Sequence, residues 1–314
     1  MMSGPAKAIT KNVSPLPVYF FSHGGPTFMY DDNTFGSRGA YQTVQRLGQK
    51  IKREYKPDYI IVVLAHYESM GRKSIEIATP AKNKEENDLY YDFYGFPQHM
   101  YKEEFHAKFD YKVGNIVKQQ LEEKGFDVQF TQRGLDHGVW VPFKVAFLNY
   151  NTLNGNKVEE DLPGTSLIQV SLTGGDIELN FKLGEALSYF RDNLIWDQSR
   201  GRYLKGMVIC SGMTVHNLRD VRSAFQKPGI TLPYVKPFDN LLRDTLVNND
   251  ELLKNLKELP NKHESLFYRA HPSAEHFMPI VVASGLISGS KEPIKQLFTS
   301  HSASLAWGIY QFGS

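Results

Sequence analysis

The sequence predicts an α/β fold: a single domain with a mostly parallel or mixed central sheet flanked by helices. Three observations carry that prediction. Short apolar, β-rich runs recur at 18–22, 59–65, 74–78, 127–131, 167–172 and 206–211. Helical patterns fall among them, near 40–55, 114–124, 180–194 and 238–256. Strands with helices between them favour a largely parallel sheet. Linker-like stretches are few, and no repeat, heptad or low-complexity tract divides the chain.

Each element has a local reason. Residues 1–16 lack a hydrophobic signal core and read as a flexible lead-in to a domain over 17–314. Val18-Tyr19-Phe20-Phe21 reads as a buried strand that ends on Ser22, His23, two glycines and a proline. The stretch AYQTVQRLGQKIKREY reads as a helix, and YIIVVLA after it as a strand. The polar stretches 80–90 and 149–163 read as surface loops. In 238–256, Phe238, Leu241, Leu242, Thr245 and Leu246 recur on one helical face. IVVAS at 280–284 suits either a strand or a buried helix, because short apolar runs have no deciding period. The tail SLAWGIYQFG alternates in part, as an edge strand does.

Composition narrows the function classes. The chain has 314 residues, 41% hydrophobic and 13% aromatic, ample for a sizeable core. Lys+Arg 36 nearly balance Asp+Glu 34, and the formal net charge is +2, which gives no reason to expect nucleic acid or a membrane surface as partner. Apolar runs such as 60–65 are too short to span a bilayer. The one cysteine, Cys210, excludes an internal disulfide and fits a reducing compartment, so a cytoplasmic location is expected. It lies inside a strand run and reads as a packing residue rather than a nucleophile. There is no Walker loop, no dinucleotide fingerprint and no Gly-x-Ser-x-Gly elbow.

The ten histidines carry the chemical signal. His23, His66, His137 and His216 each follow a predicted strand. In an open α/β sheet, sites form beyond the carboxyl ends of the strands, so these four converge on one edge. Each has an ordinary structural reading: a core imidazole for His66, a turn for His137, a helix cap for His216. Four together weaken those readings. His99, His106, His263 and His301 read as surface or loop residues. In AHPSAEHFMP, spacing does not choose among His271, Glu275 and His276. A carboxylate would complete a two-histidine, one-carboxylate set suited to non-haem iron; a third histidine would suit zinc or iron.

The motifs SHGGPTF, AHYES, YDFYGFPQHMY, LDHGVWVP, SGMTVHNLR and AEHFMP occur in that order. Together they resemble the DODA-type extradiol ring-cleavage dioxygenases, a class III branch related to protocatechuate 4,5-dioxygenase. The resemblance runs from about 18 to 312. It implies metal ligands at His23, His66 and His276, with His216 a fourth ligand or an acid/base group. It implies that His137 faces the substrate, so His137 and His216 are the expected catalytic pair. It places His276, not His271, at the metal. Where the family often has His-Asp-Phe, this chain has Tyr91-Asp92-Phe93, which alters the expected substrate mouth.

The implied chemistry explains the residue types. Three protein ligands on a six-coordinate Fe(II) leave positions for a catechol-type substrate and O2. A histidine near neutrality can remove the catechol proton and return one later. Fe(II) is expected for activity and Zn(II) in the protein as purified. Phe28, Tyr67, Tyr94 and Trp140 stand near the motifs. Core packing is expected for all but Trp140, which is expected to wall the pocket. A zinc-dependent hydrolase on the same site, and a non-catalytic Memo-like metal-binding protein, are the competing readings.

Overall fold

The computed structural model describes residues 9–32, 36–147, 162, 164–225, 229–248 and 250–314. Its central sheet has eight strands: β1 (Val18–Ser22), β2 (Tyr59–Glu68), β3 (Ser74–Ala78), β4 (Asp127–Thr131), β5 (Ser166–Leu172), β6 (Gly206–Gly212), β7 (Ile294–Phe298) and β8 (Ile309–Phe312). Their spatial order is β7, β8, β1, β6, β2, β5, β3, β4. The centre is parallel: β1 pairs with β6, β6 with β2, and β2 with β5. Antiparallel pairs flank it, β8 on β1 at one side and β3 on β5 at the other. The sheet is therefore mixed, within the predicted class.

Side-chain parity sorts the core into two layers. Val18, Phe20, Tyr59, Ile61, Val63, Val208 and Cys210 face one layer. Tyr19, Phe21, Ile60, Val62, Leu64, Met207 and Ile209 face the other. Both faces are covered, which is why these strands read as unbroken apolar runs. Helices α2 (Tyr111–Glu123), α4 (Ile177–Leu187), α5 (Val235–Val247), α6 (Leu252–Lys262) and α7 (Met278–Gly285) pack on the first face. Helices α1 (Arg38–Lys50) and α3 (His137–Phe147) pack on the second. Cys210 is fully buried and burial pushes its thiol pKa up, consistent with packing.

Several elements differ from the sequence reading. The 280–284 ambiguity resolves as helix α7, every residue of which is buried. The 238–256 pattern is two helices, α5 and α6, separated near Glu251, whose φ of 54° lies in the left-handed region. The 180–194 pattern is two helices, Ile177–Leu187 and Tyr189–Asp192, and Asn193–Asp197 after them is a strand. The tail strand β8 is not at the edge, because β7 pairs outside it. Of the expected lead-in, residues 1–8 lie outside the described residues, while Ile9–Lys11 pairs with Asn193–Asp197. Most of the 149–163 loop also lies outside the described residues.

The α1–α3 crossing depends on a glycine. A Cβ added at Gly48 would stand 1.9 Å from the carbonyl oxygen of Ala146. Gly48→Ala is therefore expected to destabilise the fold by about 1–3 kcal/mol, the usual range for overpacking. Denaturant unfolding checks this; an unchanged midpoint would mean the helices do not approach so closely.

Candidate metal centre

The parallel register builds the site. Ser22 on β1 lies beside Gly212 on β6, and Leu64 on β2 lies beside Ser211. His23 and His66 therefore emerge at the same carboxyl edge. Parity puts both on the face covered by α3. There Gly138 leaves room for them: a Cβ at 138 would stand 3.2 Å from His66 Nδ1 and 3.3 Å from His23 Cε1. His276 arrives from the turn before α7. Met213 N–H donates to its carbonyl at 3.1 Å. Gly212 permits that docking, since a Cβ there would meet the same oxygen at 2.4 Å.

The structure thus brings together His23, His66 and His276, whose donor atoms all lie within 4.8 Å of one another. Each ring is braced at Nδ1. His66 Nδ1 bonds Asp136 Oδ1 at 2.9 Å, His276 Nδ1 bonds Glu275 Oε1 at 3.1 Å, and His23 Nδ1 bonds Ser211 Oγ at 2.8 Å. A carboxylate accepts only, so Nδ1 of His66 and of His276 carries the hydrogen and Nε2 is bare. These two bare Nε2 atoms face each other at 2.9 Å. His23 Nε2 is buried with no hydrogen-bond partner. Opposed lone pairs and an orphaned buried nitrogen are what a divalent cation would satisfy, and bracing of the far nitrogen is the usual support of a histidine ligand. The residues present therefore fit a metal ion.

Electrostatics agree. Burial, then the neighbouring imidazoles, push the pKa values of His23 and His276 well below the ordinary histidine value, so both are neutral donors. His66 goes the other way: burial lowers its pKa, but the bond to Asp136 and the charges of Asp136 and Asp92 outweigh it. Asp136 is wholly buried, and burial alone would raise its pKa. The bond from His66 and the charges of His66 and His137 hold it below the carboxylate range instead. Arg133 adds a bond to Asp136 Oδ2 at 3.1 Å, and Gly138 N–H one to Oδ1 at 2.9 Å.

Two consequences follow for metal binding. Asp136→Asn is expected to lower divalent-metal affinity by roughly 10–100-fold, the usual cost of losing such a brace. Chelator competition measures it, and unchanged affinity would reduce Asp136 to a packing role. As pH falls, His66 is the first of the three to protonate, because its pKa is the raised one. Ligand imidazoles must be neutral, so affinity is lost as pH falls through that raised value.

The expected catalytic pair flanks the triad. His137 begins α3, with its ring stacked on His66 at 4.4 Å between centroids. Its Nδ1 donates to Asp92 Oδ1 at 2.7 Å, and its backbone N–H reaches the same oxygen at 3.2 Å. His216 lies face to face with His276, centroids 3.4 Å apart and planes 17° apart. Burial, then His271, His66 and His137, lower the His216 pKa to about 3.

Other residues settle outside the cluster. His271 is buried, with Nε2 on the Thr214 carbonyl at 3.0 Å. His99, His106 and His263 are exposed. His301 is in a short strand, not a loop, and bonds Asp239 at 3.0 Å. Trp140, expected as a pocket wall, is wholly buried and donates to the Tyr90 carbonyl at 3.2 Å, whereas Phe93 stands 5.9 Å from the His137 ring. Phe28 and Tyr67 are core residues, as expected, but Tyr94 is 85% exposed. The sequence reading missed the roles of Asp92, Asp136, Ser211 and Gly138. The adjacent letters Asp-His-Gly at 136–138 and the Asp in YDF were the available signals.

Comparisons with known proteins bear on this geometry. A family model described as the catalytic LigB subunit of aromatic ring-opening dioxygenase matches residues 17–313. A Schizosaccharomyces pombe protein named "4,5-DOPA dioxygenase extradiol-like protein" is 31% identical over 292 residues, covering 89% of this chain and 87% of its own. A Beta vulgaris protein named "4,5-DOPA dioxygenase extradiol" is 28% identical, covering 94% and 96%. An Escherichia coli protein of the same name is 24% identical, covering 93% of each. The crystal structure of an uncharacterized Escherichia coli K12 protein matches with a TM-score of 0.66 at 20% identity, over 95% of this chain and 99% of that one, which shows the shared fold. Among the described residues, no helix is long and apolar enough to cross a membrane.

Proposed function

The chain belongs to the family of catalytic LigB subunits of aromatic ring-opening dioxygenases, and from that premise we propose that it is an extradiol dioxygenase that opens a catechol-type ring with O2. The observation that carries this reading is the convergence of three braced imidazoles, two with bare nitrogens opposed at 2.9 Å and the third with its nitrogen orphaned. His23, His66 and His276 would hold Fe(II). Iron there would supply open coordination positions for a catechol and O2, and the electrons that couple them.

The chain's own residues supply the proton chemistry. Asp92 occupies Nδ1 of His137, which leaves Nε2 to take the proton of a substrate hydroxyl. Phe93 stands against the His137 ring and offers an edge for an aromatic substrate. His216 serves as acid/base rather than as a fourth ligand. Its ring lies face to face with that of His276, planes 17° apart, which favours proton transfer over ligation, although its ligand atom also lies within 4.8 Å of those of His276 and Glu275. With its pKa lowered to about 3, His216 is a neutral acceptor before the substrate arrives.

The test is direct. Fe(II) is added anaerobically, then a catechol or DOPA, then air. Oxygen uptake with a yellow muconic-semialdehyde-like product is expected. No uptake across a broad catechol panel would overturn the reading.

A further inference from the structure

Ser211 is the only one of the three braces that is not a carboxylate, and a hydroxyl can face either way. Its direction is tied to a proline, the last residue of the LDHGVWVP motif. Pro142 lies within α3. It has no N–H, so the carbonyl of Gly138, four residues back, receives no helical hydrogen bond from it. That carbonyl accepts from Ser211 Oγ instead. Serine has one hydroxyl hydrogen, and here it is spent on the Gly138 oxygen. Toward His23 the hydroxyl can then only accept, across the 2.8 Å contact to Nδ1. Nδ1 must carry the imidazole hydrogen, which leaves Nε2 bare: the same buried nitrogen that has no partner.

We propose that Ser211 is a positioning residue for His23, and that Pro142 makes it one by freeing the Gly138 carbonyl. The helix defect orders the hydroxyl, the hydroxyl fixes the tautomer, and the tautomer presents a lone pair where the other two imidazoles present theirs. All of these groups are buried, so bulk water does not substitute for the missing hydrogen bond. This rests on the reading that His23, His66 and His276 hold a divalent cation, but the tautomer itself does not require the ion.

The test uses the full chain with Zn(II) alone as probe, together with nitrogen NMR of the histidine rings in metal-free protein. In the unmutated protein, His23 is expected as the Nδ1–H tautomer. Ser211→Ala is expected to give a mixture of tautomers and to weaken Zn(II) binding by roughly 10–100-fold. Pro142→Ala, which returns a competing N–H, is expected to shift both readouts in the same direction by a smaller factor. An Nε2–H tautomer in the unmutated, metal-free protein overturns the proposal, even should Ser211→Ala fail to fold. So do unchanged tautomer and affinity in Ser211→Ala; unchanged readouts in Pro142→Ala overturn the part assigned to the proline. If the unmutated protein binds no Zn(II), the metal reading fails, and the tautomer measurement still decides the role of Ser211.

Discussion

Alanine in place of His66 is expected to abolish divalent-metal binding and to destabilise the fold at the same time. The first effect follows from losing one of three donors that lie within 4.8 Å of one another. The second follows from Asp136. Its side chain is 0% exposed, and His66 Nδ1 is its partner at 2.9 Å. Removing that donor leaves a buried carboxylate one hydrogen bond short, which costs about 1–3 kcal/mol. Arg133 and the Gly138 N–H remain on Asp136, so the lower end of that range is expected. His23→Ala separates the two effects, since its brace is a neutral hydroxyl. It should lose the metal with the smaller loss of stability. Metal analysis after dialysis and denaturant unfolding check both variants. Full metal content in His66→Ala, or equal destabilisation by the two variants, would contradict this account of the site.

His137→Gln is expected to leave the metal in place and to lower kcat by roughly 10²–10⁴-fold, the usual contribution of a positioned acid/base group. Glutamine is close in length and can still donate to Asp92, so the geometry of the 91–93 segment should survive. What it lacks is a nitrogen that exchanges protons. The loss should therefore fall on kcat, with KM little changed, because an interaction made only in the transition state is the one removed. Oxygen-electrode kinetics with Fe(II)-loaded protein measure it. A kcat within tenfold of the unmutated protein would remove His137 from proton transfer.

The fold was legible where burial is regular. YIIVVLA and GMVICS are strands in the structure, and each histidine placed after a strand run stands at the carboxyl edge or on a segment packed against it. The reading failed where local pattern and tertiary context diverge. Helix α3 contains Pro142, which ordinarily argues against a helix. Helix α7 is buried all round, so it shows no amphipathic period. Strand β7 reads IKQLF, a half-buried alternation too short to notice, and without it β8 looked like an edge.

Within the site, imidazoles stood out because histidine is rare and changes charge near neutrality. Their braces did not stand out. Asp92 and Asp136 are ordinary turn residues by local pattern, and Ser211 is one polar letter at the end of an apolar strand. Their roles come from partners far away in sequence: Asp92 from His137, Asp136 from His66, and Ser211 from His23. No spacing rule links such pairs, because the sheet order that joins them is set by packing.

The central claim is that three imidazoles share one divalent cation through Nε2. Anomalous diffraction from crystals soaked in Zn(II) or Co(II) tests it most directly. The account predicts one peak at the carboxyl edge of β1 and β2, ~2.0–2.1 Å from Nε2 of His23, His66 and His276. A peak bound elsewhere, or none with all three side chains ordered, would contradict it.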